Sequence, residues 1–163
     1  MKYVLDSNVF IQASRTFYAF DIAEPFWTGL VNYAAEGVLC SIDKVRDELK
    51  RGNDQLSAWA SDEFNAYFAS TKDADVINQY GTIVQWAQAQ TQYNPPAKKE
   101  FMQSDYADTW VIAFAKVNDL TIVTHEIYVA DIKKKIPIPN VCEDFDIKYC
   151  DLFQLLRELN FKF

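Results

Sequence analysis

Four acidic residues, each in a different segment, stand where an α/β fold could bring carboxylates together. Asp6 ends the apolar run Tyr3-Val4-Leu5 in the opening stretch MKYVLDSNVFI. Glu126 sits just past the run Leu120-Thr121-Ile122-Val123-Thr124, next to His125. Asp108 falls in the first turn of the helical stretch SDYADTWVIAFAKVND, and Glu48 lies in VRDELKRG, after the run Val38-Leu39-Cys40. In an open parallel sheet, ligands bind outside the carboxyl ends of the strands. Gathering carboxylates on that rim is costly, because like charges repel and raise one another's pKa. A divalent cation offsets the cost. Mg²⁺ and Mn²⁺ favour carboxylate and water oxygens, and such ions activate water and stabilise phosphoryl charge.

The elements that must position these acids follow from periodicity and punctuation. Residues 3–5 read as a short buried strand, and Val38-Leu39-Cys40 as a second. Glu24-Pro25 opens a helix carrying Trp27, Leu30, Val31 and Ala34 at helical spacing, and Gly37 suits its stop. Asp43 is placed to cap the next helix, which carries Glu48 and ends at Gly52. Residues 54–63 form another helix, and Ala66-Tyr67-Phe68-Ala69 a third strand. A helix over 74–90 turns Val76, Ile77, Tyr80, Val84 and Ala87 inward, and Asn94-Pro95-Pro96 breaks it. Ser104 is placed to cap the helix that carries Asp108, whose second half is apolar nearly all round and so deeply packed. The β-branched run 120–124 is a buried strand; Lys133 to Asn140 is a basic, Pro-containing loop; Ile147 to Cys150 is a last strand; and 151–159 is a closing amphipathic helix. Short apolar strands alternating with helices give an α/β fold with a mainly parallel sheet, in one domain over residues 1–163.

Composition narrows the classes. The 163 residues are half hydrophobic, and 12 Phe, 9 Tyr and 4 Trp call for an aromatic core. No apolar stretch approaches the ~20 residues that span a bilayer. A single His and three Cys without a CxxC make a His/Cys zinc site a poor fit, and a reduced, cytoplasmic setting the simplest one. The net charge of −7 argues against a general nucleic-acid coat, but not against an acidic metal site. With no GxGxxG after the first strand, a dinucleotide-binding fold ranks lowest. A haloacid-dehalogenase-like phosphatase needs a second Asp where Asn8 stands.

Each acid also has a plainer reading. Asp6 suits a turn. Glu48 suits a solvated helix face, paired with Arg51. Asp108 favours a helix N-terminus, where Asp105 competes for the same role. Glu126 is a loop acid, and His125 a surface residue or a support for a ligand behind it. It is the joint placement of the four that favours a site.

Four segments, in order, resemble the PIN-domain ribonucleases: VLDSNVFI, VRDELKRG, ADTWVIAFA and LTIVTHE. Together with the last strand and helix they cover nearly the whole chain. The resemblance implies a sheet of order 3-2-1-4-5 between helices. It implies a catalytic set of Asp6, Glu48, Asp108 and Glu126, with Asp6, Glu48 and Asp108 holding Mg²⁺ or Mn²⁺. Ser7, Asn8, Asp105, Thr124 and His125 would support that set from behind. It further implies an RNA substrate and, as in the toxin-type members, an antitoxin protein partner, with a homodimer as a further possibility. Lys50, Arg51, Lys98, Lys99, Lys133, Lys134 and Lys135 are the candidate phosphate contacts, although a lysine run in a loop is equally often only solvated. One departure stands out: the family usually has Asp at the fourth position, and here it is Glu126, a methylene longer. A PIN-like module that binds a protein and cuts nothing is the competing expectation.

Overall fold

A computed structural model describes residues 1–163. Five strands, β1 (Tyr3–Leu5), β2 (Leu39–Ile42), β3 (Phe68–Ala69), β4 (Thr121–Val123) and β5 (Tyr149–Cys150), form one sheet of order β3-β2-β1-β4-β5. Every pairing is parallel, so each carboxyl end points to the same rim. β1 is central, with Val4 opposite both Cys40 and Ile122 and Leu5 opposite Val123. A central parallel strand is covered on both faces, which is why Tyr3, Val4 and Leu5 are all buried with no polar alternation.

Nine α-helices accompany the sheet: α1 (Ser7–Gln12), α2 (Glu24–Ala35), α3 (Asp43–Arg51), α4 (Gln55–Asp62), α5 (Ala74–Ala89), α6 (Pro95–Phe101), α7 (Ala107–Asn118), α8 (Ile138–Phe145) and α9 (Leu152–Glu158). α7 is the most deeply placed, with every residue from Ala107 to Ala115 buried. It packs on β1, β2 and β4 and is clamped from outside by α5, where Tyr80 stacks on Trp110 at 3.9 Å between ring centroids. Phe10, Phe26, Trp27, Phe64 and Phe101 are fully buried, so the expected aromatic core is present. Forty-six buried apolar residues make one continuous cluster.

Several local expectations are corrected. α7 begins at Ala107 with Tyr106 before it, not at a Ser104 cap; the Ser104 carbonyl instead accepts from the Trp110 indole at 2.9 Å. Asp43 is the first residue of α3 rather than its cap, and its carboxylate accepts from the Thr71 backbone N–H and hydroxyl at 3.0 and 2.8 Å. Ile77 is 48% exposed, and Ile83 takes the inward place. α5 ends at Ala89, ahead of Asn94-Pro95-Pro96, and that stretch starts another helix instead: Asn94 caps α6 through the Ala97 N–H, and the prolines fill its first turn, where their missing N–H costs nothing. α1 follows Asp6 at once and runs into a π-helical turn (Ala13–Phe17). Within the stretch read as a loop, α8 begins at Ile138.

The segment between β4 and α8 has no regular structure, yet side chains hold it. Gln92 donates to the carbonyls of Ala130 and Ile132, both at 2.8 Å, and the Asn94 N–H donates to the Lys133 carbonyl at 2.8 Å. Buried Asn140 accepts from the Val129 N–H at 3.0 Å, and its amide donates to the Val129 carbonyl at 2.9 Å and to the Tyr93 hydroxyl at 3.2 Å. Replacing Asn140 with Ala strands these groups, and each buried group left unpaired costs about 1–3 kcal/mol. We expect Asn140→Ala to lower unfolding stability by about 2 kcal/mol in chemical denaturation. Amide exchange should accelerate selectively over residues 127–133; uniform exchange throughout the chain would show that Asn140 does not pin this segment.

Candidate metal centre

The rim at the strand carboxyl ends is built from β1, β4 and α7. Asp6 is the residue after β1. Its N–H bonds the Val123 carbonyl of the neighbouring strand at 3.0 Å, so its backbone still belongs to the sheet. Its side chain caps α1, with Oδ1 accepting from the Ser7 N–H at 2.8 Å. Oδ2 accepts from the Thr124 hydroxyl at 3.1 Å. Thr124 itself is held by β5 through its N–H to the Cys150 carbonyl at 2.9 Å. Asn8 ties the two strand ends together. Its amide donates to Thr124 Oγ1 at 3.3 Å, and its carbonyl oxygen accepts from the His125 N–H at 3.2 Å. The Glu126 N–H in turn donates to Thr124 Oγ1 at 3.2 Å.

This scaffold brings Asp6, Asp108 and Glu126 together: one carboxylate oxygen of each lies within 4.8 Å of the others. Asp6 and Asp108 are 1% and 8% exposed. Glu126 is anchored by Oε1, which accepts from the Ile138 N–H at 3.3 Å and pairs with Lys135 Nζ at 3.5 Å. Glu48 is not one of the three. It is half-buried on α3 and shares a cleft of about 190 Å³ with Arg51, Gln103, Asp105, Tyr106 and Asp108, so it borders the cluster from the Asp108 side.

The supporting residues separate clearly. Ser7, Asn8 and Thr124 bond Asp6 or the strand ends around it. Asp105 is largely exposed and 3.7 Å from Arg51, a surface pair of little energetic weight. The His125 ring packs against Phe17 and Phe153, at 5.8 and 5.9 Å between centroids, and Nε2 is buried without a partner. Burial lowers its pKa, opposed by Asp151. Of the basic residues, Lys50, Lys133 and Lys134 are exposed, whereas Lys135 reaches into the site. Lys98 is also bound elsewhere, donating to the Gln88 carbonyl at 3.1 Å.

Electrostatics show the cost of the arrangement. Burial first, then Asp108 and Glu126, push the Asp6 carboxyl well above the usual range, against the Ser7 and Thr124 hydrogen bonds. Burial and Glu126 raise Asp108 to about 7, with Lys135 and Tyr106 pulling the other way. Burial lowers the Lys135 pKa, but Glu126, Asp108 and Asp6 more than offset it and leave it raised. The donor set is all oxygen, close-set, buried and self-repelling, which fits a hard divalent cation.

Comparison with known proteins gives the family. A family described as Domain of unknown function (DUF4411) matches residues 3–163. The chain belongs to that family. No curated protein matches the DUF4411 chain by sequence. Its fold is the PIN-like, VapC-type fold. A chain of VapBC2 from Rickettsia felis, crystallised bound to a DNA fragment from their promoter, superposes with a TM-score of 0.56 at 12% identity, covering 93% of this chain and 98% of that one. A chain of VapBC-1 from nontypeable Haemophilus influenzae superposes with a TM-score of 0.51 at 17% identity, with the same coverage of each. The expected fold class and sheet order are borne out.

The raised carboxyls set a pH dependence. In the folded, metal-free protein Asp6 and Asp108 bind protons that the unfolded chain releases near pH 4. Their contribution to stability is therefore fully present below about pH 4 and lost as pH rises through about 7 for Asp108. We expect the metal-free protein to melt higher at pH 5 than at pH 8. A divalent cation competes with those protons, so Mg²⁺ or Mn²⁺ should raise the melting temperature more at pH 8 than at pH 5. At about 100 times its Kd the ion adds about 2.7 kcal/mol. Equal melting at both pH values, with no response to either ion, would count against the site.

Proposed function

We propose that this protein is a metal-dependent endoribonuclease, the toxin member of a toxin–antitoxin pair that acts in the cytoplasm. The carrying observation is the convergence of Asp6, Asp108 and Glu126 at the strand carboxyl ends, from three separate elements. In this reading those residues hold Mg²⁺ or Mn²⁺, and Glu48 extends the acidic wall beside Asp108. The bound ion supplies a water of lowered pKa and neutralises charge on the phosphoryl oxygens. The chain's own groups do the rest. Ser7 and Thr124 fix both oxygens of Asp6, so its carboxylate is oriented before substrate arrives. Asn8 locks the β1 and β4 ends in register. The cleft shared by Glu48, Arg51 and Asp108 gives the RNA strand an approach, with Arg51 as a phosphate contact and Lys50 as an exposed neighbour.

The fold neighbours belong to VapBC assemblies. Ile127 and Tyr128, directly after Glu126, are 72% and 49% exposed. Large exposed apolar side chains at a site's edge suit a protein partner. We assign them to an antitoxin that covers the carboxylates. The same pair also suits a module that binds protein and has no nuclease activity, so the test must separate the two.

Purified protein, freed of partner, is assayed on a mixed RNA pool with Mg²⁺ and Mn²⁺ in separate reactions. Asp6→Asn keeps the side-chain shape and removes the charge that binds a hard cation. We expect it to lose cleavage by at least about a hundredfold, the scale of a lost transition-state electrostatic contact. Asp108→Asn should do the same, while Asp105→Asn stays near wild type because its carboxylate faces solvent. Equal cleavage by wild type and Asp6→Asn would assign the activity to another site or to contamination. If neither cleaves and a partner binds both alike, the module reading replaces the nuclease one.

A further inference from the structure

Lys135 is set apart from the two lysines before it. Lys133 and Lys134 are exposed, as a basic loop predicts, whereas Lys135 is half-buried with Nζ 3.5 Å from Glu126 Oε1. Its placement is built in on both sides. Two residues earlier, the Lys133 carbonyl is held by the Asn94 N–H at 2.8 Å. Immediately afterwards Ile136 and Ile138 are buried, at 2% and 0% exposed, and the Ile138 N–H bonds the same Glu126 oxygen at 3.3 Å. The backbone is therefore anchored before and after Lys135, and its ammonium is delivered to one of the three clustered carboxylates. The other cation nearby, Arg51, pairs with exposed Asp105 at the outer side of the cleft.

We propose that Lys135 takes the place of a second divalent cation, so that Asp6, Asp108 and Glu126 bind one metal ion and not two. The inference rests on the metal-site reading above. Three ionised carboxylates carry three negative charges, and one divalent ion with one ammonium neutralises them. A second divalent ion beside Lys135 would leave surplus positive charge in a site where Asp6 and Asp108 are almost wholly buried, and uncompensated buried charge is costly. Without the lysine, one divalent ion would leave two of the four negative charges of these carboxylates and the bordering Glu48 unmet, and a second ion would meet them; with the lysine, only the single charge of half-buried Glu48 is left over. An ammonium on a pinned loop also does one thing that an exchanging ion does not. It keeps a positive charge beside Glu126 whether or not metal is bound, available to an incoming phosphate.

The test is Mn²⁺ binding to the purified full chain at pH 8, by calorimetry and by electron paramagnetic resonance, without RNA. Wild type should bind one Mn²⁺. Lys135→Met keeps the length of the stem and removes the charge. It should bind the first Mn²⁺ roughly tenfold more tightly, because a repelling charge is gone, and should take up a second, giving the spin-coupled signal of neighbouring ions. Lys135→Arg keeps the charge and should retain one ion with wild-type affinity. Thermal melts of all three show whether each variant is folded; should Lys135→Met fail to fold, Lys135→Gln gives the same neutral comparison. Two ions in wild type overturn the proposal. So does a neutral variant that binds a single ion with unchanged affinity, even if it no longer cleaves RNA, since the lysine would then act on substrate alone. If wild type binds no Mn²⁺, the metal-site reading fails and this proposal with it.

Discussion

Mutual repulsion among buried carboxylates is the constraint around which the rest of this molecule is arranged. Asp6 and Asp108 are nearly inaccessible to water, and Glu126 completes a set within 4.8 Å. Left to itself, such a set would spread apart or stay protonated. It persists because its members cannot easily move. Asp6 is continuous with the central strand, Asp108 lies in the first turn of the most deeply buried helix, and Glu126 is tied to the start of α8. Each carboxylate is thus held by an element whose own packing fixes it. The apolar core positions the acids, and their repulsion makes the rim receptive to positive charge.

The parallel topology explains why three distant segments meet. All five strands run the same way, so every strand end opens on one rim, and the central position of β1 puts its end next to those of β2 and β4. The polar residues after β1 then serve two ends at once. Asp6 is both the cap of α1 and a member of the cluster, and Asn8 bonds the residues just past β4. A carboxylate that caps a helix faces the positive end of the helix dipole, which partly offsets the repulsion from its neighbours.

Much of this is legible in the sequence, for physical reasons. The strand Tyr3–Leu5 shows as an unbroken apolar run because a central parallel strand has no solvent face, and Thr121–Val123 shows as a β-branched run. α7 shows because its apolar residues leave no polar stripe. The features that stay hidden lie where one residue type carries two signals. Asp6 reads as a strand end, which masks its second role as the cap of α1. Pro137 and Pro139 read as loop breakers, although proline is also common in the first turn of a helix, and there α8 begins. Glu48 matches the PIN-domain motif that the sequence resembles, and Glu126 departs from it, yet proximity groups Glu126 with the aspartates and leaves Glu48 at the border. A motif orders residues along the chain but does not measure the reach of a side chain. The methylene that makes Glu126 longer lets its carboxylate meet both the cluster and the α8 N-terminus from the loop after β4.

Lys135 illustrates the same limit from the side of charge. In a run of three lysines nothing local distinguishes the third, and a solvated loop is the ordinary expectation. The distinction lies in the alternating Ile and Pro of 136–139, all buried, which fasten the loop to the core. Exposed lysines sample many rotamers, so an ion pair made by one is weakened by the entropy of holding it. A lysine next to an anchored residue loses less, because its backbone is already fixed. The shape of the loop therefore decides which of three identical side chains acts on the carboxylates. That shape depends in turn on the polar bonds from Gln92, Asn94 and Asn140, none of which touches the carboxylate cluster.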